Sequence, residues 1–251
     1  MKKIAQITDL HVDDYLAKKY KIDARNNFEN ALKLSQSRGV SDVILTGDLG
    51  ASEANEWVFE TIRSHGFDFH VVLGNHDNLV NFHKFDFLKT LIKDDGLYFS
   101  KTIYGIEPEC IFLDSSAGEV GEIQLEWLRR QISGSREPFL VFIHHPILAC
   151  GDPIIDRLFH LKNRDTVRQI LIEAEREVAI FCGHYHSHHS EEKREGKLRQ
   201  FLTPATFGQI KQYDEEIRPD DSGYIAYREI YIKDEKLQTE IIEIQSVKET
   251  V

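Results

Sequence analysis

Lys3-Ile4-Ala5-Gln6-Ile7-Thr8-Asp9-Leu10-His11 opens the chain with a short apolar run that stops abruptly at a carboxylate and an imidazole. The same figure recurs twice: Val43-Ile44-Leu45-Thr46 runs into Gly47-Asp48, and Phe69–Leu73 runs into Gly74-Asn75-His76-Asp77. Between these runs lie Ala24–Ser37, with Phe28, Ala31, Leu32 and Leu34 near helical spacing, and Glu53–His65, with Ser52 as its expected N-cap. Strand–helix–strand–helix–strand implies parallel strands with crossover helices. In such sheets ligands bind beyond the carboxyl ends of the strands, so three polar clusters are expected to converge on one place.

Working outward, Phe82–Ile92 reads as a helix, Tyr98–Ile103 and Cys110–Leu113 as strands, and Ile123–Ile132 as a helix. Phe139–Ile143 is a buried strand leading to His144-His145-Pro146. Thr166–Glu175 is helical, and the strand Val178–Phe181 leads to Gly183-His184-Tyr185-His186. Leu198–Leu202, Tyr224–Ile232 and Leu237–Ile244 read as strands with little helix between. A βα half followed by a β-rich half predicts an α/β (α+β) fold of two mixed β-sheets packed face to face, with helices outside. No linker divides it, so residues 1–251 are expected to form a single domain. Thr203–Ser222 is the longest irregular stretch, a surface loop or a functional one.

Composition narrows the class. With 251 residues, 41% hydrophobic and 29% charged, the chain is long enough for a sizeable core. No apolar run nears the ~20 residues of a membrane span. The first strand is expected to start near residue 3, so Met1–Ile7 is not expected to be a leader peptide. Cys110, Cys150 and Cys182 are scattered among apolar runs, which suits buried thiols in a reducing cytoplasm. A net charge of -11 disfavours nucleic acid and anionic membranes as partners. It leaves a phosphorylated substrate open, since bound cations reverse the sign locally.

Asp9 or Asp48 alone would read as a turn former, and His144 or His145 alone as a core or surface histidine. The conjunction changes that, because six of the twelve histidines fall in these strand-end clusters. Asp9 and His11, and likewise His184 and His186, lie two apart and share a face if the backbone stays extended. Each pair then serves one metal or two adjacent ones. Imidazoles, carboxylates and an amide oxygen without thiolate suit manganese, iron, zinc or cobalt. Seven ligands (Asp9, His11, Asp48, Asn75, His144, His184 and His186) are too many for one ion and fit two divalent or trivalent ions sharing a carboxylate. His188 and His189 read as rim residues, His65, His70, His83 and His160 as structural, and Trp57 and Trp127 as core.

Asp-x-His, Gly-Asp, Gly-Asn-His-Asp, His-His-Pro and Gly-His-x-His, in this order, resemble the signatures of the calcineurin-like metallophosphoesterase superfamily. The likeness is to its branch of cyclic-AMP phosphodiesterases and glycerophosphodiesterases. Leu113-Asp114-Ser115, Gln124…Trp127-Leu128, Leu161-Lys162-Asn163 and Thr203-Pro204 are weaker echoes. The resemblance implies a four-layer α/β/β/α sandwich. It implies one metal on Asp9, His11 and His186, a second on Asn75, His144 and His184, and Asp48 between them. It also implies His76 as general acid, oriented by Asp77. The expected reaction is hydrolysis of a small phosphodiester by a metal-bound hydroxide. A phosphomonoesterase or nucleotidase on the same centre is the alternative, and a non-catalytic scaffold the remote one. Relatives of this kind often associate, so a homo-oligomer is one expectation. Specificity is expected in Asp13–Ile22, Asn78–Lys84, Ala149–Asn163 and Thr203–Ser222.

Overall fold

Strands that are apolar at nearly every position need cover on both faces. The computed structural model, which describes residues 2–106, 108–134, 138–151, 154–187, 192–213, 216–220, 222–234 and 236–245, provides it with four layers. The chain begins β1 (Lys3–Ile7), α1 (Tyr15–Tyr20), α2 (Ala24–Ser37), β2 (Asp42–Thr46), α3 (Asn55–Ser64) and β3 (Asp68–Val72). After a 3-10 turn at Leu79–Phe82 come α4 (Asp86–Lys89), β4 (Ile92–Lys93), β5 (Gly96–Leu97), β6 (Phe99–Lys101) and β7 (Glu109–Leu113). Then follow α5 (Glu122–Gly134), β8 (Phe139–Ile143), α6 (Ile155–Leu158), α7 (Arg164–Glu173) and β9 (Val178–Cys182). The remaining strands are β10 (Lys193–Glu195), β11 (Leu198–Leu202), β12 (Ile210–Tyr213), β13 (Glu216–Pro219), β14 (Tyr224–Lys233) and β15 (Lys236–Gln245).

One sheet has the order β15-β14-β1-β2-β3 and the other β10-β11-β9-β8-β7-β6. β1, β2 and β3 are parallel, and β14 joins β1 antiparallel. In the second sheet β7, β8, β9 and β11 are parallel, flanked by antiparallel β6 and β10. Both sheets are therefore mixed, as expected.

The period-2 alternation of each strand sorts its side chains into layers. Ile4, Ile44, Val72 and Ile230 face the second sheet, whose inner face carries Phe99, Phe112, Phe142, Phe181 and Phe201. These five rings stack in strand order with centroids 4.3, 5.3, 5.3 and 5.1 Å apart. On the outer side of the first sheet, Ala5, Ile7, Val43 and Leu45 meet Phe28 and Leu32 of α2 and Val58 and Ile62 of α3. On the outer side of the second, Ile111, Val141 and Ile180 meet Leu125 and Leu128 of α5 and Val167 and Leu171 of α7. Gln6 ties the two sheets near their carboxyl ends. Its amide donates to Thr46 Oγ1 (3.0 Å) and the Cys182 carbonyl (3.2 Å), and accepts from Thr203 Oγ1 (2.6 Å).

Several local expectations are corrected. Phe82–Ile92 is no helix: Phe85 interrupts it in an extended conformation, leaving the one-turn α4. α3 starts at Asn55 after the uncapped Ala54, with Ser52 in the preceding turn. Asp13–Ile22 holds the helix α1, and Thr203–Ser222 holds the antiparallel ribbon β12–β13. Lys193–Glu195 forms an edge strand. Trp57 and Trp127 are half-buried at the edges of the core. His188, His189, Asp214 and Glu215 lie outside the described residues.

Candidate metal centre

The ends of β1, β2, β3, β8 and β9 meet on one edge of the sandwich, and direct loop-to-loop hydrogen bonds hold them there. Asp9 N–H donates to the Gly47 carbonyl (3.0 Å), and Gly183 N–H to the His144 carbonyl (3.0 Å). This closeness requires glycine. A Cβ on Gly47 would lie 2.5 Å from His144 Nδ1, and φ at Gly47 is +97°. A Cβ on Gly74 would overlap the Asp48 carboxylate.

The ligand pairs are not extended. φ is +54° at Asp9, +50° at His11, +54° at Asp48, +74° at His184 and +42° at His186, all in the left-handed region. Non-glycine residues occupy that region at a cost of order 1–3 kcal/mol when the surroundings enforce it. The side chains therefore converge because the chain coils tightly after each strand, and not through strand alternation.

The four ligand imidazoles follow one pattern. His11 Nδ1–H donates to Asp14 Oδ2 (2.7 Å), and His144 Nδ1–H to the Thr46 carbonyl (2.8 Å). His186 Nδ1–H donates to the Gly208 carbonyl (2.9 Å), and His184 Nε2–H to the Phe159 carbonyl (2.9 Å). Each partner only accepts, so it fixes the tautomer and leaves the other ring nitrogen with a free lone pair. Those lone pairs face one another. His11 Nε2 lies 3.1 Å from His186 Nε2, and His144 Nε2 lies 3.1 Å from both His184 Nδ1 and Asn75 Oδ1.

Asp48 stands between the two groups, its Oδ2 3.8 Å from His11 Nε2 and 3.4 Å from His144 Nε2. Its Oδ1 accepts the His76 backbone N–H at 2.8 Å. Asp9 Oδ2 accepts from Thr8 Oγ1 (2.7 Å) and His184 N–H (3.0 Å). Asp9 Oδ1, 3.2 Å from His186 Nε2, is buried with no hydrogen-bond partner. A buried carboxylate oxygen with no donor, among converging lone pairs, fits a cation. Asp9, His11, Asp48 and His186 bring one donor atom each within 4.8 Å of one another, and Asp48, His144 and His184 do the same. All seven sequence-predicted ligands are thus in one place, in two groups that share Asp48.

Electrostatics follow from crowding. Burial raises Asp9 and Asp48, but His186 beside the first and His144 beside the second outweigh it and hold both carboxyls low. Burial lowers His144, yet Asp48 brings it up to about 9. His184 is pushed down to about 3 by burial and by the neighbouring His144. His145 is buried, bonded to Ser115 Oγ at 2.8 Å and packed on the His184 ring at 4.1 Å. Burial keeps it neutral.

Of His76 and Asp77, the second is bonded otherwise than expected. His76 is exposed at the mouth, its ring centroid 5.1 Å from that of His11. Among the described residues the Asp77 carboxylate is hydrogen-bonded to backbone and not to the His76 ring: it accepts the N–H groups of Asp48 (2.8 Å), Leu49 (3.0 Å) and Gly74 (2.9 Å). It clamps two ligand loops together. The weaker sequence echoes are likewise braces. The Gln124 amide makes a pair of hydrogen bonds with the Asp114 backbone, and the Asn163 amide makes a second pair with the backbone of Val120. Sequence reasoning missed Asp14, Thr8, Phe159 and Gly208. Of these only Asp14 had a signal, an Asp three residues past a ligand at the start of a helix.

The centre opens into a pocket of about 360 Å³ walled by Leu16, Tyr20, Ile22, Phe159 and Phe207, with Arg218 and Asp220 at its rim. A family model described as calcineurin-like phosphoesterase matches residues 2–188. A protein of Fibrobacter succinogenes described as a probable cyclic nucleotide phosphodiesterase is 30% identical over 83% of this chain and 81% of its own length. One from Arcobacter nitrofigilis described as a probable glycerophosphodiester phosphodiesterase is 29% identical over 73% of this chain and 71% of its own. A dimetal phosphatase from Danio rerio superposes over 98% of this chain and 99% of its own with a TM-score of 0.72 at 14% identity, a likeness of fold.

Proposed function

The chain belongs to the calcineurin-like phosphoesterase family, and we propose that it hydrolyses a small phosphodiester at a centre of two metal ions. The observation that carries this reading is the pair of donor groups sharing Asp48, with Asp9 Oδ1 left without a proton donor. Asp9, His11 and His186 would hold one ion, Asn75, His144 and His184 the other, and Asp48 both. When bound, the cations supply positive charge for the phosphate and acidify water for attack on phosphorus. Manganese, iron, zinc and cobalt all suit this donor set.

The chain's own groups do the rest. Burial of the ligand carboxylates and the fixed histidine tautomers keep the site organised before substrate arrives. His76, exposed beside His11 and outside both donor groups with Asp48, would protonate the departing alkoxide. Asp77 acts as a positioning residue through the loops it clamps. The apolar wall of Leu16, Tyr20, Ile22 and Phe159 suits a nucleoside-like arm better than glycerol, so a cyclic nucleotide is the favoured diester. The net charge of -11 works against long nucleic acids, and the buried cysteines suit a cytoplasmic setting.

Manganese-loaded protein should cleave bis(4-nitrophenyl) phosphate faster than 4-nitrophenyl phosphate, and a 3′,5′-cyclic nucleotide faster than a glycerol diester. Preference for the monoester would replace this reading with a phosphomonoesterase. Asp48→Ala should lose metal and turnover together, while His76→Ala should keep metal and lose about 10²–10⁴ in rate.

A further inference from the structure

Asp14 uses both carboxylate oxygens, each for a different element. Oδ2 accepts from His11 Nδ1 at 2.7 Å, and Oδ1 accepts from the Ala17 backbone N–H at 3.0 Å as the N-cap of α1. α1 has six residues, far too few to be stable alone. It carries Leu16 and Tyr20 to the pocket wall, and its Ala17 carbonyl accepts the N–H of Ile22, a third wall residue. The segment between ligand and cap is strained, with φ +50° at His11 and +57° at Asp13. A short helix entered through such a turn needs its cap to stay in register.

We propose that Asp14 is a positioning residue that couples metal loading at His11 to the order of the substrate-pocket wall. The proposal rests on the reading of the site as a metal centre. The carboxylate obliges the His11 proton to sit on Nδ1, which keeps Nε2 available as a ligand. The same carboxylate pins the first turn of α1. A ligand histidine that tilts pulls on the cap, and a helix that frays releases the histidine.

Three variants separate the two bonds. Asp14→Ser keeps an N-cap oxygen but is too short to reach His11. Asp14→Asn keeps the cap oxygen and turns an N–H₂ group towards Nδ1, which favours the tautomer with the proton on Nε2. Asp14→Ala loses both contacts. Calorimetric titration with Mn²⁺ and elemental analysis read metal binding. KM for bis(4-nitrophenyl) phosphate at saturating Mn²⁺ reads the wall. All three variants should weaken one of the two Mn²⁺ sites by about 10–100-fold, Asp14→Asn the most. Only Asp14→Ala should also raise KM once metal is saturating. Wild-type affinity for both ions in Asp14→Ser and Asp14→Asn overturns the proposal, as does an unchanged KM in Asp14→Ala. A wild-type protein that takes up no Mn²⁺ overturns the metal-centre reading itself, a different result from loss confined to the variants.

Discussion

Asp77 Oδ2 accepts the backbone N–H of Asp48 at 2.8 Å, and the same oxygen accepts that of Gly74 at 2.9 Å. With Oδ1 on the Leu49 N–H, one carboxylate closes the loops after β2 and β3 around the shared ligand. Burial and the adjacent Asp48 push Asp77 up to about 7, while the N–H groups of Gly74 and Leu49 favour its charged form. Asp77→Ala leaves those donors unpaired at about 1–3 kcal/mol each and frees the loop bearing Asp48. It should lose metal occupancy as well as activity, whereas a residue that only oriented His76 would lose activity with metal retained. Elemental analysis of Asp77→Ala beside His76→Ala distinguishes these, and full occupancy in Asp77→Ala would return it to the orienting role.

Gly183, just after β9, packs directly against Thr8 and Asp9 at the end of β1. A Cβ there would overlap Thr8 Oγ1 and stand 2.5 Å from Asp9 Oδ2. Gly183→Ala should therefore push Asp9 off its two donors, lowering stability by about 1–3 kcal/mol and weakening the Asp9 metal site. Gly134→Ala, where the added carbon meets nothing within 4 Å, should leave both unchanged. Denaturant midpoints and Mn²⁺ titration of the pair check this. Equal behaviour of the two variants would remove the close-packing argument.

The sandwich and the convergence of ligands were legible because the signal is local. Apolar runs of five residues end at glycine, aspartate or histidine, and parallel strands bring such ends together. Other features have no such signature. Aspartate and histidine take a left-handed φ more often than most residues but still uncommonly, so extended pairs were expected where tight coils occur. The Asp77 clamp was hidden because its partners are backbone groups 28 and 29 residues earlier. The ribbon β12–β13 was read as a loop because β13 carries Arg218 and Pro219 within a highly polar stretch. Phe159 and Gly208 act through carbonyls, which sequence does not mark.

His70, in β3 and in none of the donor groups, predicts an acid sensitivity separate from the metal centre. Its ring packs 5.3 Å from Phe112 between the sheets, and burial, with Lys101 adding to it, pushes it down to about 4. The unfolded chain, with an ordinary histidine near 6.5, binds more protons between those values. Stability is therefore complete above about pH 6.5 and is lost as pH falls towards 4. At pH 5 the loss amounts to about 2 kcal/mol. His70→Phe should flatten that part of the profile. Parallel pH–stability curves for wild type and variant between pH 7 and 5 would refute the assignment.

Removal of metal should be felt as stability as well as activity. Asp9 and Asp48 are 0% and 2% exposed, and Asp9 Oδ1 has no donor of its own. Without cations these carboxylates rely on His186 and His144, whose protonation sets lone pairs aside and weakens the tautomer-fixed geometry. Binding to the folded state alone stabilises it by about 2.7 kcal/mol per site at a hundredfold excess over Kd. For a chain of this size that is roughly 5–10 °C in Tm per site. A chelator should lower the melting temperature and Mn²⁺ should restore it, and Asp48→Asn should respond to neither. A wild-type melting temperature indifferent to both would mean that the convergent donors are satisfied without a cation.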